Sequence, residues 1–314
     1  MMEWKTKRVL VTGGSGFVGS HLVDRLVTLG ARVAVVDCLE HPERLKRFEG
    51  QLTYTAADLA DWKWEQGEDA PFEIIFHLAA FSTPSAAQRD PQLAYRQNVM
   101  ATANMLQLAR QCGVQKFVFS SAGALYTNLP KYLPIDEQHP IDPCQSVYAM
   151  TKRIGELLCE DFHRQYQVPT VYFRLFNTYG PLQADHFLIP SFIREALTKG
   201  QVTVLNGAVR RDFTYVSDTV KALLLGAESE FCGGPINLGT GVETSVEEIA
   251  RAIGTSLGVE VKLLNRQVFG PIRQLCDRRL AERLLGWEPC YSLEQGLSLT
   301  LQSAHMPRAL GGRR

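Results

Sequence analysis

The chain has 314 residues, of which 45% are hydrophobic and 21% are charged, so it can bury a large core and is not disordered as a whole. Lysine plus arginine number 33, as do aspartate plus glutamate, so the formal net charge is zero. A nucleic-acid-binding protein normally carries a cationic excess, and we therefore expect no nucleic-acid partner.

The sequence contains no run of about 18 apolar residues, which predicts no membrane-spanning helix and no membrane partner. The first residues lack an apolar run that ends in a small-residue cleavage site, so we expect a cytoplasmic protein. The seven cysteines are dispersed without a CxxC pair. This spacing predicts reduced thiols, with no metal site and no disulfide framework.

The first half of the chain alternates short apolar runs with helical patterns. Strands are predicted at 7–11, 32–36, 52–55, 73–77, 116–120 and 168–175. Helices are predicted at 18–29, which Gly30 ends, at 91–112 and at 146–166. This alternation predicts an α/β fold with a doubly wound parallel sheet of the Rossmann type, covered by helices on both faces.

Beyond residue 176, prolines and glycines divide the chain into shorter pieces. We therefore predict a cofactor-binding domain over 1–175 and a second, smaller α/β substrate domain over 176–305. Segments near 210–240 are expected to return to the first domain. Residues 306–314 are polar and contain glycine, and they are expected to form a flexible tail.

A glycine-rich segment follows the first predicted strand and opens the first predicted helix. Gly13, Gly16 and Gly19 are spaced G-x-x-G-x-x-G within residues 12–19. The first glycine permits a tight turn, the second admits a pyrophosphate close to the backbone, and the third lets the helix approach the sheet. The helix N-terminus then offers free N–H groups to the anion, so this segment predicts a dinucleotide site.

Two acidic residues end the next two predicted strands. Asp37 lies 18 residues after Gly19, where a carboxylate accepts both ribose hydroxyls of NAD and repels the 2′-phosphate of NADP. The alternative for Asp37 is an ordinary turn cap at a strand end. Asp58 can reach the adenine amino group, although an N-cap for the following segment explains this residue nearly as well.

Tyr148 and Lys152 lie four residues apart in a predicted helix and therefore share one face. A nearby ammonium favours the phenolate and so lowers the pKa of the phenol, which suits a tyrosine that acts as acid and base. In most chains such a pair is only a surface tyrosine and lysine. After a dinucleotide loop the pair indicates a redox active site.

Six motifs in this order carry a family resemblance: TGGSGFVG at 12–19, HLAA at 77–80, YAMTK at 148–152, RLFNTYGP at 174–181, RDFTYVSD at 211–218 and LGWEP at 285–289. Together they resemble the extended short-chain dehydrogenases/reductases, and more narrowly the NAD-dependent nucleotide-sugar epimerases and dehydratases. The resemblance covers about residues 7–300. It implies NAD as the cofactor and a nucleotide sugar, most simply a UDP-sugar, as the substrate.

The resemblance also implies which residues line the dinucleotide. These are Gly13, Gly16, Phe17, Val18, Gly19, Asp37, Asp58, Leu59, Leu78, Ala79, Ala80, Asn98, Tyr148 and Lys152. In the family Asn98 helps to support the active site, and a buried asparagine that ties two loops together would fit the same role.

For the substrate, the resemblance assigns Asn177 and Arg211 to the sugar-linked diphosphate, which arginine binds bidentately. The alternative for Arg211 is a solvated surface charge. Leu188 matches a substrate-loop position, or is a plain core leucine. The second phosphate arginine of the family, near position 270, has no direct match, and either Arg266 or Arg273 can substitute for it.

Members of the family usually carry a catalytic Ser or Thr four residues before a Tyr. Counting back four residues from Tyr126, this chain has Ala122. The hydroxyl lies one place earlier, so we expect Ser121 to serve the substrate beside Ala122 and Tyr148. The alternative is that the serines here only satisfy backbone groups at the strand end. Related dehydratases and decarboxylases carry a carboxylate just after this position, whereas this chain has Gly123 and Ala124.

We therefore expect an enzyme that epimerises a UDP-hexose or UDP-hexuronate at C4 through a transient 4-keto sugar, with Tyr148, Lys152 and Ser121 as catalytic residues. The alternatives are a 4-keto-sugar reductase, an unusual dehydratase, or a catalytically silent NAD-binding sensor or scaffold. By resemblance we also expect a homodimer that forms a four-helix bundle from helices 91–112 and 146–166.

Overall fold

The computed structural model describes residues 2–64, 71–126, 128–141, 144, 146–264, 266 and 272–305. Its strands are β1 Arg8–Thr12, β2 Arg32–Asp37, β3 Leu52–Ala56, β4 Ile74–His77, β5 Lys116–Ala122, β6 Thr170–Leu175, β7 Asn177–Tyr179, β8 Gln201–Val204, β9 Arg210–Tyr215, β10 Pro235–Leu238, β11 Glu243–Ser245, β12 Glu260–Leu263 and β13 Arg273–Gln274. Its α-helices are α1 Phe17–Thr28, α2 Pro84–Arg89, α3 Pro91–Tyr95, α4 Ala101–Cys112, α5 Val147–Tyr166, α6 Leu188–Lys199, α7 Val216–Glu228, α8 Val246–Leu257, α9 Arg279–Leu285 and α10 Leu293–His305. The predicted tail 306–314 lies outside the described residues.

Seven parallel strands form the main sheet in the order β10-β6-β5-β4-β1-β2-β3. This is a doubly wound sheet, so the predicted fold class is confirmed. The strand order reverses at β1, which pairs with β2 on one side and β4 on the other. In such sheets a crevice opens at the carboxyl ends of the strands where the order reverses, and ligands bind there.

The central strands are buried on both faces, as expected for a parallel sheet between helical layers. Every residue of β4 and β5 is buried. On one face Leu22 and Leu26 of α1 belong to a core that includes Phe76, and on the other Met105 of α4 packs with Phe117. Strand β5 extends to Ala122, two residues beyond its predicted end, because its last residues pair with β6.

The helix predicted over 91–112 is not continuous. Between α3 and α4 the chain forms a π-helical turn, Arg96–Met100. Such turns place one extra residue in a helix and are frequent at functional sites. Here the turn contains Asn98, which is buried, so the irregular helix directs a polar side chain toward the inside of the protein.

The second half of the chain builds a smaller layer beside the carboxyl end of the main sheet. Strand β9 pairs with β7, β11 and β13, and β8 pairs with β12. Helices α6 and α8 pack on β8 through a shared core that includes Ile193, Val204 and Ile253.

The chain also returns twice to the main sheet. Strand β10 completes that sheet beside β6, and the fully buried Trp287 packs in the same core. The indole N–H of Trp287 donates to the carbonyl oxygen of Asp218 on α7 at 2.9 Å. The return at Trp287 was not predicted. The preceding helix, α9, is short, and the spacing of its apolar residues does not distinguish it from a helix on the surface.

Within the described ranges, no helix combines the length and the apolar character needed to cross a membrane. The same part of the chain contains no group of three or more His, Cys, Asp or Glu side chains arranged to hold a metal ion.

Candidate active site

A cavity of about 500 Å³ opens at the carboxyl ends of the main-sheet strands, where the strand order reverses. It brings together residues from the glycine loop, the strand ends and α5. The predicted residues that line it are Gly13, Gly16, Phe17, Val18, Gly19, Asp37, Asp58, Leu59, Leu78, Ala79, Ala80, Ser121, Ala122, Tyr148 and Lys152.

The glycine loop has the close contacts that the motif requires. Gly13 has φ +70°, and a Cβ there would lie 2.6 Å from the backbone nitrogen of Ala79. A Cβ on Gly19 would overlap the carbonyl oxygen of Gly13. Gly16 occupies the N-cap position of α1 without a capping side chain, so the first N–H groups of the helix face the cavity. The loop therefore fits a dinucleotide pyrophosphate.

Asp37 ends β2 beside this loop, as predicted for a ribose ligand. Its Oδ2 accepts a hydrogen bond from the backbone N–H of Ser15 at 2.9 Å, which fixes the carboxylate at the cavity wall. Arg44 donates to the carbonyl oxygens of Ser15 and Leu182 and so connects the loop to the second layer. A buried carboxylate on a lining strand end suits the ribose hydroxyls of NAD.

Asp58 caps the turn that follows it, and its contact with the adenine amino group stays a prediction. Its Oδ1 accepts from the N–H of Ala60 at 2.9 Å, which is a cap on the following turn, and its Oδ2 accepts from Arg96 Nε at 3.2 Å. Asp58 still lines the cavity, so its carboxylate supports the cavity wall and is itself held by two donors.

A row of three hydrogen-bonded polar side chains is buried beneath the cavity. His77 is fully buried and lies between two hydroxyls, with Thr12 Oγ1 at 2.7 Å from Nδ1 and Thr102 Oγ1 at 2.9 Å from Nε2. Burial lowers the pKa of His77 to about 3, so the imidazole is neutral. These hydrogen bonds connect the end of β4 to β1 and to α4.

Asn98 lies behind the cavity and is not among its lining residues. Its Oδ1 accepts from the N–H of Phe81 at 2.6 Å, and its Nδ2 donates to Thr151 Oγ1 at 2.9 Å. Asn98 therefore ties the loop after β4 to α5. These bonds fit the supporting role expected of Asn98, and its contact with the cofactor stays a prediction.

Tyr148 and Lys152 lie one turn apart on α5 and both line the cavity. Lys152 Nζ donates to the carbonyl oxygen of Ser120 at 2.7 Å and lies 4.9 Å from the centre of the Phe119 ring. Burial lowers the pKa of Lys152 to about 8 and raises the pKa of Tyr148 to about 12. The predicted fall in the pKa of Tyr148 is therefore wrong for the protein alone, because burial raises this pKa.

Ser121 lines the cavity, but its hydroxyl is bound elsewhere. Ser121 Oγ donates to Glu156 Oε1 at 2.6 Å, and Glu156 is fully buried in an ion pair with Arg174. This bond directs the hydroxyl behind the strand. Ser121 and Ala122 both line the cavity, and the expectation that they serve the sugar stays a prediction.

A second cavity of about 460 Å³ lies in the smaller layer and contains both Leu188 and Arg211. The side chain of Arg211 donates to the carbonyl oxygens of Arg210 and Ile272. Asn177 is partly buried, and its Nδ2 donates to the carbonyl oxygen of Asp212 at 3.1 Å. Neither cavity includes Asn177 among its lining residues.

The two candidates for the second phosphate arginine are not placed in either cavity. Arg273 forms a salt bridge with Glu243, with Nη2 at 2.7 Å from Oε2. The expectation that Arg266 or Arg273 replaces the second phosphate arginine of the family stays a prediction. The backbone N–H of Arg266 donates to the carbonyl oxygen of Leu205, beside the second cavity.

Several residues of the first cavity were missed from the sequence. Ser82, Thr178, Gln183 and Phe187 line it near its catalytic end. Thr178 lies inside the motif at 174–181, and this motif was the one sequence signal that pointed to any of these four residues. Gln183 and Phe187 come from a loop without periodicity, so nothing in their spacing indicates which way they face.

Comparison with known proteins agrees with this geometry. The model of the NAD dependent epimerase/dehydratase family matches residues 9–239. The chain is 34% identical over 311 residues to UDP-glucuronic acid decarboxylase 1 of Xenopus tropicalis, covering 96% of this chain and 73% of the relative. It is 33% identical over 307 residues to UDP-glucose 4-epimerase of Mycolicibacterium smegmatis, covering 94% of this chain and 97% of the relative.

Among solved structures, UDP-glucose 4-epimerase of Thermotoga maritima with UDP-glucose superposes with a TM-score of 0.86 at 31% identity, covering 95% of this chain and 98% of that one. The relatives differ in the reaction that their names give, so the similarity supports the family more firmly than a single activity. The dinucleotide loop and the Tyr148–Lys152 pair meet in one cavity, and the chain belongs to the NAD dependent epimerase/dehydratase family, with NAD as its cofactor.

Proposed function

We propose that the protein epimerises a UDP-hexose at C4 through a transient 4-keto sugar. The observation that carries this proposal is the lining of the catalytic end of the first cavity. Tyr148 and Lys152 supply an acid–base pair, and the strand end that faces them continues into Gly123 and Ala124. Removal of water needs a second proton carrier there, whereas epimerisation needs one phenol and a hydride acceptor.

The glycine loop and Asp37 would hold NAD through its pyrophosphate and its ribose, respectively. NAD, when bound, supplies the acceptor and donor for the hydrogen at C4 and a positively charged nicotinamide ring. Tyr148 removes the proton from the 4-hydroxyl oxygen and later returns it to the same oxygen. Lys152 favours the phenolate with its ammonium charge.

The substrate nucleotide fits the second cavity. Arg211 is the described cation that the family motif assigns to the diphosphate, and its guanidinium is partly buried at the rim. Burial lowers the pKa of Arg211, and Glu243 opposes this effect. Anchoring the diphosphate at Arg211 would let the sugar turn over without leaving the protein, which is what epimerisation at C4 requires.

The main alternative is decarboxylation of a UDP-hexuronate, because several relatives carry that name. The chain has Gly123 and Ala124 where decarboxylases that resemble this group carry a carboxylate, so the proposal favours epimerisation. A 4-keto-sugar reductase and a silent NAD-binding protein are the remaining alternatives.

The test is incubation of the purified protein with UDP-glucose, UDP-galactose and UDP-glucuronate, followed by separation of the products. We expect UDP-glucose and UDP-galactose to interconvert with no net change in NADH. Release of carbon dioxide would indicate a decarboxylase, and a net redox change would indicate a reductase. No reaction with any of the three sugars would leave the silent NAD-binding protein as the better explanation.

A further inference from the structure

Glu156 on α5 is fully buried and accepts hydrogen bonds from three other side chains. Ser121 Oγ donates to Oε1 at 2.6 Å, and Arg174 donates through Nε at 2.9 Å and Nη2 at 2.8 Å. Arg153 Nη1 adds a donor at 3.1 Å. The carboxylate is thus held by four hydrogen bonds, which is the arrangement that stabilises a buried charge.

These bonds tie the catalytic helix to the two strands under the sugar site. Ser121 belongs to β5 and Arg174 to β6, and the two residues are partners in the sheet register. Lys152 binds the carbonyl oxygen of Ser120, the preceding residue on β5. Two neighbouring residues of β5 are therefore held by two residues of α5 that lie one turn apart.

Arg174 is fixed from its other side as well. Its Nη1 donates to the hydroxyl of Tyr126 at 2.9 Å, and that hydroxyl donates to Asn237 Oδ1 at 2.7 Å. Asn237 belongs to β10, so the network extends across the edge of the main sheet. A carboxylate held this way has little freedom to move when a ligand binds.

The charge of Glu156 also acts on Lys152. The titratable groups that face Lys152 are Tyr148, Glu156 and Cys159 from α5 and His77 from β4. Burial raises the pKa of Tyr148 to about 12, raises that of Cys159, and lowers that of His77 to about 3. These three groups are neutral near pH 7, so Glu156 supplies the negative charge that opposes the effect of burial on the ammonium.

We propose that Glu156, clamped by Arg174 and Ser121, is a positioning residue that keeps the Lys152 ammonium charged and in place at the end of β5. The proposal rests on the proposed function and assigns Ser121 a different part in it. Ser121 orients the carboxylate of Glu156 and exchanges no proton with the sugar.

Glu156→Gln tests the charge, because the amide keeps the shape of the side chain. Without the anion the Lys152 ammonium loses its proton more readily. We expect the alkaline limb of kcat against pH to move to lower pH by about half a unit or more. Glu156→Asp keeps the charge and should leave the limb near its wild-type position. An unchanged limb in Glu156→Gln would overturn the proposal.

A second readout needs no sugar. Calorimetric titration with NAD across pH 6–10 should show the same displacement for Glu156→Gln in the pH dependence of Kd, with Glu156→Asp as the matched control. Wild-type protein that binds NAD but does not interconvert UDP-sugars would count against the proposed function. The NAD titration would then still decide the role of Glu156.

Ser121→Ala separates positioning from proton transfer. We expect kcat to fall by less than about tenfold and Ser121→Thr to restore it, because a hydroxyl then binds Glu156 again. A loss on the order of 10²-fold or more at every pH would make Ser121 a catalytic hydroxyl and overturn this part of the proposal. If Glu156→Gln fails to fold because Arg174 is left unpaired, the double variant Glu156→Gln/Arg174→Gln removes both charges. Because the lost cation partly offsets the lost anion, we expect a smaller downward displacement, and an upward displacement would overturn the proposal.

Discussion

At the scale of single residues, burial decides the protonation states around the cavity. Burial disfavours the charged forms of Tyr148, Lys152 and His77, and of these three only Lys152 has neighbours that oppose the effect. A phenol with a pKa near 12 is almost wholly protonated at neutral pH, so very little phenolate is available as a base. The protein therefore depends on positive charge close to Tyr148 when the 4-hydroxyl oxygen loses its proton.

Tyr148→Phe removes the phenol oxygen and leaves the rest of the cavity wall in place. We expect kcat for the interconversion of UDP-glucose and UDP-galactose to fall on the order of 10²–10⁴-fold, which is the usual contribution of an acid–base group. Binding of NAD should persist, as followed by calorimetry. The matched control is Tyr132→Phe, because that hydroxyl binds Asp136 in an exposed turn. Full activity in Tyr148→Phe would contradict its assigned role.

His77 predicts a pH dependence of stability. The unfolded chain binds a proton at this residue below about pH 6.5, whereas the folded protein does so only near pH 3. The folded protein therefore loses stability as the pH falls through this window, at about 1.4 kcal/mol per pH unit from this one group.

His77→Asn should remove that component. Between pH 7 and pH 5 the free energy of unfolding measured with urea should fall by about 2 kcal/mol less in the variant than in the wild type. His41→Asn is the control, since His41 is exposed and should leave the slope unchanged. Equal slopes in the wild type and His77→Asn would refute a depressed pKa at His77.

At the scale of elements, the sequence predicted the regular parts well and the contacts between them poorly. The alternation of apolar runs was enough to predict six of the seven main-sheet strands and the doubly wound sheet, because a buried parallel strand needs a continuous apolar segment. The π-helical turn at Arg96–Met100 left no trace in that periodicity. The bond from Ser121 to Glu156 joins residues 35 positions apart, and only the packing of α5 against β5 brings them together.

The site was predictable where a motif has a backbone requirement. Gly13 and Gly19 are required by contacts that any side chain would break, so their spacing carries the information. Arg273 was selected by its position relative to a missing motif, and its salt bridge with Glu243 depends on the antiparallel pairing of β11 with β9. For a long side chain that no backbone contact constrains, the direction in which it points can be read only from the folded structure.

The turn between β1 and α1 predicts a clear effect for Gly19→Ala. The added methyl group would overlap the carbonyl oxygen of Gly13, which is backbone and has little room to shift. We expect the affinity for NAD to fall on the order of tenfold or more, measured by calorimetry. Gly234→Ala is the control, because its Cβ would meet only the ring end of Phe231 at 3.1 Å. Unchanged affinity in Gly19→Ala would show that the helix can move away from the loop.

At the scale of the whole molecule, the predicted homodimer has a surface that suits it. Met100 lies in the π-helical turn before α4, and Met150 and Leu157 lie on α5, with exposed fractions of 53%, 37% and 46%, respectively. The last two are seven residues apart and share one helix face. The four-helix bundle stays a prediction, and these apolar side chains are where it would form.

Met150→Lys/Leu157→Lys would place two charges in that interface. We expect sedimentation velocity to give a two-chain mass for the wild type and a one-chain mass for the double variant. Leu299→Lys on α10 is the control, since this residue is also partly exposed but lies on another helix. A wild type that sediments as a single chain would exclude the dimer under the conditions used.

The return of the chain at β10 has a consequence for biosynthesis. The main sheet receives its last strand only after 234 residues have been made, because Pro235–Leu238 pairs with β6 beside residues 170–175. Until then a nascent chain would present β6 as an open edge, which is the kind of surface that pairs wrongly with other chains. A protein cut after residue 175 would carry that edge permanently. We therefore expect the cofactor-binding half to be unstable when it is produced alone, because its main sheet depends on β10, which lies between segments of the smaller layer in the sequence.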